Sequence, residues 1–526
     1  MHRLLGEGLE LQKAGRLAEA EARYRQILDQ EPNHGDANHL LGLIAFQAGE
    51  LWQAEALISK ALAANPFEPA YHANLGSVYQ AMGRPAEAER CLGRATDLRP
   101  DFTDAHFNLG NALRDLGRDE EAISAFGRAV ELDPGHVPAW GNLAALYEGL
   151  NRIEHAREAA EKGLAHTPGD PLANLTLAKL ERRQGKCDPS RLRRLLESSP
   201  APALEMGARF ELGHLHDRAG DAGTAFDQFL KANALQQKHL PEAVDKVRYG
   251  QEIDALNAAF TEDWVRSWTP PLEGGGAPVF LVGFPRSGTT LLERILRAHS
   301  GIDTLEEPAT VSALRDELLP LGPYPGVLAS LAPEAIGRLR RVYSKAAEDA
   351  SGGRHGGVMV DKMPLNVAEA GLIHRVFPDA AFILALRHPL DVCLSCFMQA
   401  FELNDPMANF LDLGDTGVLY AKVMGLWRRY VSLLGLRVHS VRYEDLVEDV
   451  EGEARAAVEF LGLDWDSGVL DFAAQAQAGE RIKTPSYHQV VEPVYRRARY
   501  RWRRYERHLD PIRGLLEPFM EAFGYG

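Results

Sequence analysis

Five prolines in the first third of the chain stand in strict phase: Pro32, Pro66, Pro100, Pro134 and Pro168 are 34 residues apart. Twelve positions ahead of each stands an alanine, at Ala20, Ala54, Ala88, Ala122 and Ala156. A third phase carries Gly8, Gly42, Gly76 and Gly110, with Ala144 in the fifth unit. A fourth carries Gly15, Gly49, Gly83 and Gly117, with Asn151 in the fifth. Such a chain stacks unit on unit instead of closing around one globular core. The residue types fit two helices per unit. Small residues let the pair cross closely, and glycine or asparagine accepts the left-handed backbone that ends the first helix. Proline closes the second because it cannot continue the hydrogen-bond ladder.

This pattern resembles the tetratricopeptide repeat. A sixth, degenerate unit runs from about residue 171, keeping Leu177 and Gly185 and putting Ser190 at the second small position. A seventh resumes with Gly213, Gly220, Ala225 and Ala232, one residue out of phase. Helical sequence from Pro241 to Trp268 is expected to cap the stack, and Thr269-Pro-Pro-Leu-Glu-Gly-Gly-Gly276 reads as a linker. The period vanishes after it. The expected organisation is an array of about seven units over 1–240, a capping helix and linker over 241–276, and a separate domain over 277–526 that folds alone. The resemblance implies a curved surface for a protein or peptide partner; the alternative is a scaffold that only stiffens or dimerises the chain.

Composition narrows the function classes. At 526 residues with a net charge of −16, the chain is too long for one core and too acidic for a general nucleic-acid binder. No run of eighteen apolar residues spans a membrane. The amphipathic N-terminus lacks the apolar stretch of a signal peptide, and four cysteines make no disulfide framework. A cytoplasmic location is expected. Oligomeric state is not encoded in any of these features.

Beyond the linker, Pro278-Val-Phe-Leu-Val-Gly283 is a short apolar run suited to a buried parallel strand. Gly283-Phe-Pro-Arg-Ser-Gly-Thr-Thr290 follows, then helical sequence. Strand, glycine-rich turn and helix form a phosphate cradle in which backbone N–H groups face an anion. The spacing mimics the nucleoside-triphosphate loop, but Thr289 stands where that loop keeps lysine, and the positive charge sits at Arg286. A sulfuryl group in transfer carries less negative charge than a phosphoryl group, so arginine and hydroxyls suffice without a metal. A kinase would keep the lysine and add magnesium ligands.

The segment PVFLVGFPRSGTTLLERIL resembles the 5′-phosphosulfate loop of sulfotransferases, nearest the tyrosylprotein branch. The resemblance implies an all-α repeat solenoid followed by an α/β, P-loop-like domain with a central parallel sheet. It implies 3′-phosphoadenosine 5′-phosphosulfate as co-substrate, held by Pro285, Arg286, Ser287, Gly288, Thr289 and Thr290. Ala381–Ser395 resembles the family's 3′-phosphate segment, with Arg387 as the fork and Ser395 adding a hydroxyl. Gln399 stands where the family has a further arginine. Tyr443 matches a tyrosine that meets the adenine, and Ser486 and Arg501 match residues near the sulfate and the 3′-phosphate. Glu492 replaces a family lysine, and arginines crowd positions 496–507.

The same resemblance implies a general base at Glu307, the second member of Glu306-Glu307, and a lysine on the bridging oxygen at Lys362. Two adjacent carboxylates repel, which is expected to raise one of them. Arg286, Lys362 and Ser486 are the groups expected to stabilise charge on the donor. His299, His374 and His388 are rival bases, since other branches use histidine. Cys393 and Cys396 read as small buried residues on one helix face, not as half of a zinc site. The implied activity is sulfuryl transfer to a hydroxyl, protein tyrosine first. A carbohydrate or small-molecule hydroxyl is the alternative, as is a repeat adaptor with an inactive nucleotide-binding domain.

Overall fold

The computed structural model describes every residue except 187, 270–277, 353–355 and 473–497. The chain forms two compact units, one comprising Met1–Lys186 with Ser190–Pro200, the other built on Ala201–Gly526. Among the described residues no helix is long and apolar enough to cross a membrane.

The first unit is a succession of antiparallel helix pairs, from His2–Lys13 with Leu17–Gln30 to Pro171–Arg183 with Ser190–Glu197. The glycines at the crossings have a shared reason. A Cβ added at Gly8, Gly42, Gly76 or Gly110 would lie 2.4–2.7 Å from the side chain sixteen residues on: Tyr24, Ile58, Leu92 and Phe126. In the fifth unit Ala144 replaces the glycine, and the residue sixteen on is Ala160; both are fully buried. The extra methyl is matched by the smaller partner. Gly110→Ala should therefore destabilise this unit by about 1–3 kcal/mol through overpacking against Phe126, read as a lowered thermal midpoint.

The turn positions behave as their residue types require. Gly15, Gly49, Gly83, Gly117 and Gly185 all have positive φ, and Asn151 does so at 58°. The phased prolines carry a further regularity. Six residues after each, a side-chain N–H reaches back to the proline carbonyl. Asn38 bonds Pro32 at 2.9 Å, His72 Pro66 at 2.9 Å, His106 Pro100 at 3.0 Å, Trp140 Pro134 at 2.9 Å and Asn174 Pro168 at 3.1 Å. Each satisfies a carbonyl that the next helix leaves without a ladder partner.

The second unit is an α/β domain around a five-stranded parallel sheet. Its strands are β1 Val279–Val282, β2 Ile302–Glu306, β3 Val358–Lys362, β4 Ala381–Leu386 and β5 Arg437–Arg442, in the order β2-β3-β1-β4-β5. β1 alternates between two cores: Val279 and Leu281 join Ile295, Val360 and Ile383, while Phe280 and Val282 join Phe382 and Trp427. Both faces are covered, as a parallel sheet requires. The chain leaves β1 toward β2 and later crosses to β4, so the topological switch lies between β1 and β4. Ligands of such sheets bind there, outside the carboxyl ends of the strands.

The unit boundary differs from the one drawn on sequence. Helices Pro202–Arg218 and Ala222–Lys238 keep the repeat's internal contact, for a Cβ at Gly213 would meet Phe229 at 2.6 Å. Yet their outer faces belong to the sheet domain. Phe226 stacks on Phe397 and on His508, Asn233 donates to the Phe397 carbonyl at 2.9 Å, and Asp217 accepts from Tyr505 at 2.7 Å. Lys246–Ala259, expected as a cap on the repeats, instead ends with Phe260 fully buried against Tyr430 in the sheet domain's core. The repeat period reports only the contact within a helix pair. Which surface the pair's other faces cover is a long-range matter, and here it is the sheet domain. The linker expected at 269–276 falls almost wholly outside the described residues.

Candidate functional site

The residues singled out from sequence gather at one edge of the sheet, because each follows the carboxyl end of a strand. Arg286 lies in the turn after β1, Glu307 follows β2, Lys362 ends β3, Arg387 follows β4 and Tyr443 follows β5.

The turn after β1 is shaped for close backbone approach. A Cβ on Gly283 would lie 2.6 Å from the Ala385 carbonyl oxygen. Gly288 has φ of 100°, and a Cβ there would meet the Tyr443 ring at 2.9 Å. Gly288 is also the N-cap of helix Thr289–Arg297 and brings no side-chain cap, so the first-turn N–H groups present their dipole toward an anion. Ser287 folds its hydroxyl onto the Phe284 carbonyl at 2.6 Å and braces the turn. Thr289 and Thr290 are buried in the first helical turn. These features fit a phosphate-bearing ligand. The backbone of Arg286 is left-handed, φ 71°, a strained state for a non-glycine residue of the kind that concentrates at functional sites.

β4 brings the second motif onto this turn. Arg286 Nε donates to Ser395 Oγ at 3.2 Å, and Arg387 Nη1 donates to the Arg286 carbonyl at 3.3 Å. Arg387 also donates to the Ala498 carbonyl at 2.8 Å, and its guanidinium lies 4.8 Å from the Tyr443 ring centroid. Pro285, Arg286, Arg387, Ser395 and Tyr443 thus form one constellation. Cys393 and Cys396 are fully buried beneath it, with Cys396 Sγ donating to the Pro285 carbonyl at 3.4 Å.

On the other side, Lys362 is fully buried, and its Nζ lies 3.1 Å from Glu307 Oε1 and 3.8 Å from Glu306 Oε1. Glu307 N–H donates to the Lys362 carbonyl at 2.8 Å. The two glutamates differ from the expectation of simple mutual repulsion. Burial is what holds the Glu306 carboxyl above the usual range, against the pull of Lys362 and Arg294; the Glu307 charge contributes less. Glu306 turns inward, where Arg294 Nη2 approaches it at 3.4 Å, while the Glu307 side chain remains one-third exposed.

Other residues sit elsewhere. Arg501 pairs with Asp217 at 3.4 Å instead of joining Arg387, although the neighbouring Trp502 N–H donates to Asp391 at 2.7 Å. Ser486, Glu492, Arg496 and Arg497 lie outside the described residues. His299 has both ring nitrogens engaged, with the Asp464 carbonyl and the Gly301 N–H. His299 and His374 precede β2 and β4, which puts them at the amino edge of the sheet. His388 stacks on Trp502, and burial pushes it down to about 4. Among the described residues no cluster of three metal-ligating side chains occurs.

Sequence reasoning passed over Asp391, Asp217 and Glu444. Asp391 and Asp217 anchor the segment 501–505. Glu444 receives both the His388 N–H and the Tyr525 hydroxyl. Asp391 offered a signal, an acid in the first turn of a helix directly behind Arg387-His-Pro. Asp217 offered none, since its partners lie more than 280 residues away.

Residues 278–467 match the sulfotransferase family, and residues 11–77, 74–137 and 120–180 match tetratricopeptide repeats. The chain is 30% identical over 342 residues to an uncharacterised protein of Aquifex aeolicus (strain VF5), covering 62% of this chain and 43% of that protein. It is 29% identical over 242 residues to the nodulation protein NoeE of Sinorhizobium fredii (strain NBRC 101917 / NGR234), covering 40% and 54% respectively. It is 25% identical over 241 residues to protein-tyrosine sulfotransferase A of Caenorhabditis elegans, covering 43% and 60%. The chain therefore spans about half the length of the curated relatives it matches.

Proposed function

We propose, from a chain that carries tetratricopeptide repeats and a sulfotransferase-family domain, that it transfers a sulfuryl group from 3′-phosphoadenosine 5′-phosphosulfate to an acceptor hydroxyl, with protein tyrosine as the first acceptor to test. The observation that carries this reading is the convergence of Arg286, Glu307, Lys362, Arg387 and Tyr443 on the carboxyl ends of five adjacent strands. The acceptor oxygen attacks sulfur in line, its proton passes to Glu307, and the bond from sulfur to the bridging phosphate oxygen breaks. Arg286 and Lys362, with Ser486, meet the charge that develops on the departing 3′,5′-bisphosphate. Arg387 and Ser395 hold the 3′-phosphate, and Tyr443 faces the adenine. In the free protein Lys362 already orients Glu307, so one ammonium serves the base before reaction and the leaving oxygen during it. The similarity to a protein-tyrosine sulfotransferase and the repeat array both favour a polypeptide acceptor.

Calorimetry on the full chain tests the donor site. 3′-Phosphoadenosine 5′-phosphate should bind at least about tenfold more tightly than ADP, and Arg387→Ala should remove most of that preference, because a charge-assisted fork on phosphate is worth about 1.5–3 kcal/mol. Preference for ATP with magnesium would overturn the reading. Incubation with labelled donor and separate tyrosine-peptide, glycan and small-phenol acceptors identifies the acceptor class. Labelling of a glycan alone would move the assignment to carbohydrate, and labelling of none beside intact nucleotide binding would favour a repeat adaptor.

A further inference from the structure

Glu307 has a left-handed backbone, φ 48°, which a glutamate adopts only where its surroundings hold it. One hold comes from Lys362, whose carbonyl takes the Glu307 N–H and whose ammonium meets the carboxylate. A second comes from the opposite face of the same strand. Successive side chains of a strand point to opposite faces, so Asp361 is directed to the face opposite Lys362. Asp361 is fully buried. Its Oδ2 accepts from the Thr310 hydroxyl at 2.6 Å and from the Tyr343 hydroxyl at 3.1 Å. Thr310 begins the helix Thr310–Leu318, only Pro308 and Ala309 after Glu307, and Tyr343 belongs to the helix Pro333–Ser351.

We propose that Asp361 is a positioning residue for Glu307: by pinning Thr310 it fixes the short segment between β2 and the next helix, so that Glu307 keeps its left-handed backbone beside Lys362. The value of that placement for catalysis rests on the reading of Glu307 as the base; the pinning itself does not.

The chemistry of the site separates positioning from mere stability. Both hydrogen-bond partners of Asp361 are neutral hydroxyls, and burial pushes its carboxyl up to about 6 while those bonds pull it down. An acid raised above its ordinary value of about 3.9 binds more protons folded than unfolded between those two values. Stability is therefore lost as pH rises through that window, and above it the buried charge weakens the fold. Asp361→Asn at pH 8 keeps the shape and removes that charge, so its thermal midpoint should stay level or rise.

The test uses the full chain with Asp361→Leu, Asp361→Asn, Thr310→Val and Thr310→Ser, reading hydrogen exchange, thermal midpoint, turnover and affinity for 3′-phosphoadenosine 5′-phosphate. In Asp361→Leu, which has no acceptor, and in Thr310→Val, exchange should accelerate over 305–311 and not elsewhere, and kcat should fall about 10–100-fold, as expected for a reacting group displaced by about an ångström. Nucleotide affinity should hold, and Thr310→Ser, which retains the hydroxyl, and Asp361→Asn, whose amide oxygen still accepts it, should exchange and turn over as wild type. Unchanged exchange over 305–311 would overturn the proposal. So would a lowered midpoint with exchange rising across the whole sheet domain, which marks a merely structural residue. Local acceleration in the variants of a protein whose wild type transfers no sulfuryl group would uphold the pinning and sink the proposed function instead.

Discussion

Glu307→Gln should lower turnover about 10²–10⁴-fold while leaving affinity for 3′-phosphoadenosine 5′-phosphate nearly unchanged. Glutamine keeps the shape and can still accept from Lys362 Nζ, now 3.1 Å from the carboxylate, but it cannot take a proton at neutral pH. The groups proposed to hold the nucleotide follow β1, β4 and β5, across the sheet from β2, so the two properties should separate. The rival histidines are poorly placed for the same role. His299 has both ring nitrogens bonded to backbone, and His388 lies buried under Trp502. Full activity in Glu307→Gln, with loss in His299→Gln or His374→Gln, would move the base to the other edge of the sheet and defeat the assignment.

A fragment beginning at residue 277 should fail to fold, whereas one beginning at Ala201 should be soluble and should bind the product nucleotide. Phe210, Phe229, Ile253, Leu256 and Phe260 are each at most 4% exposed and share a core with Phe382, Trp427, Tyr430 and Tyr505. Phe260 fills a notch made by a glycine, for a Cβ on Gly371 would lie 2.3 Å from its ring. Removing a single buried phenylalanine side chain costs about 3–5 kcal/mol. A whole domain is stable by only about 5–15 kcal/mol, so losing several such anchors exceeds what the remainder holds. Polar ties add to the effect: Arg315 pairs with Glu252, and Arg429 Nε donates to the Phe260 carbonyl at 2.6 Å. Circular dichroism and calorimetric titration of both fragments decide the matter. A monomeric, nucleotide-binding fragment from 277 would show that these helices only decorate the domain. The fragment from 201 also separates recruitment from chemistry. If the repeats gather the acceptor, their loss should raise the apparent KM for a protein acceptor and leave kcat on a short one unchanged.

The repeat array was legible because its determinants are local. A glycine meets the residue sixteen positions on, and a left-handed turn needs glycine or asparagine at one fixed phase, so the pattern recurs in plain view along the chain. The glycine-rich turn was legible for the same reason: strand, Gly283–Thr290 turn and helix are contiguous, and backbone sterics alone dictate its glycines. Arg387, Ser395, Lys362 and Glu307 were identified singly. Their convergence follows from a topology in which Arg387 and Glu307 come just after a parallel strand, Lys362 ends one, and Ser395 lies on the helix behind Arg387.

Sequence by itself thus determined the two kinds of architecture and the residues to test at the strand ends. Only the tertiary structure decided where the second unit begins, that Arg501 faces Asp217, and that Glu306 turns inward toward Arg294 while Glu307 stays accessible. These outcomes depend on partners far apart in the chain: Asp217 with Tyr505, Phe226 with Phe397, Asp361 with Thr310. A one-dimensional period or spacing records the contacts a segment makes with itself. Which distant surface buries its remaining faces, and how much a carboxylate loses of its water there, is set only when the whole chain has packed.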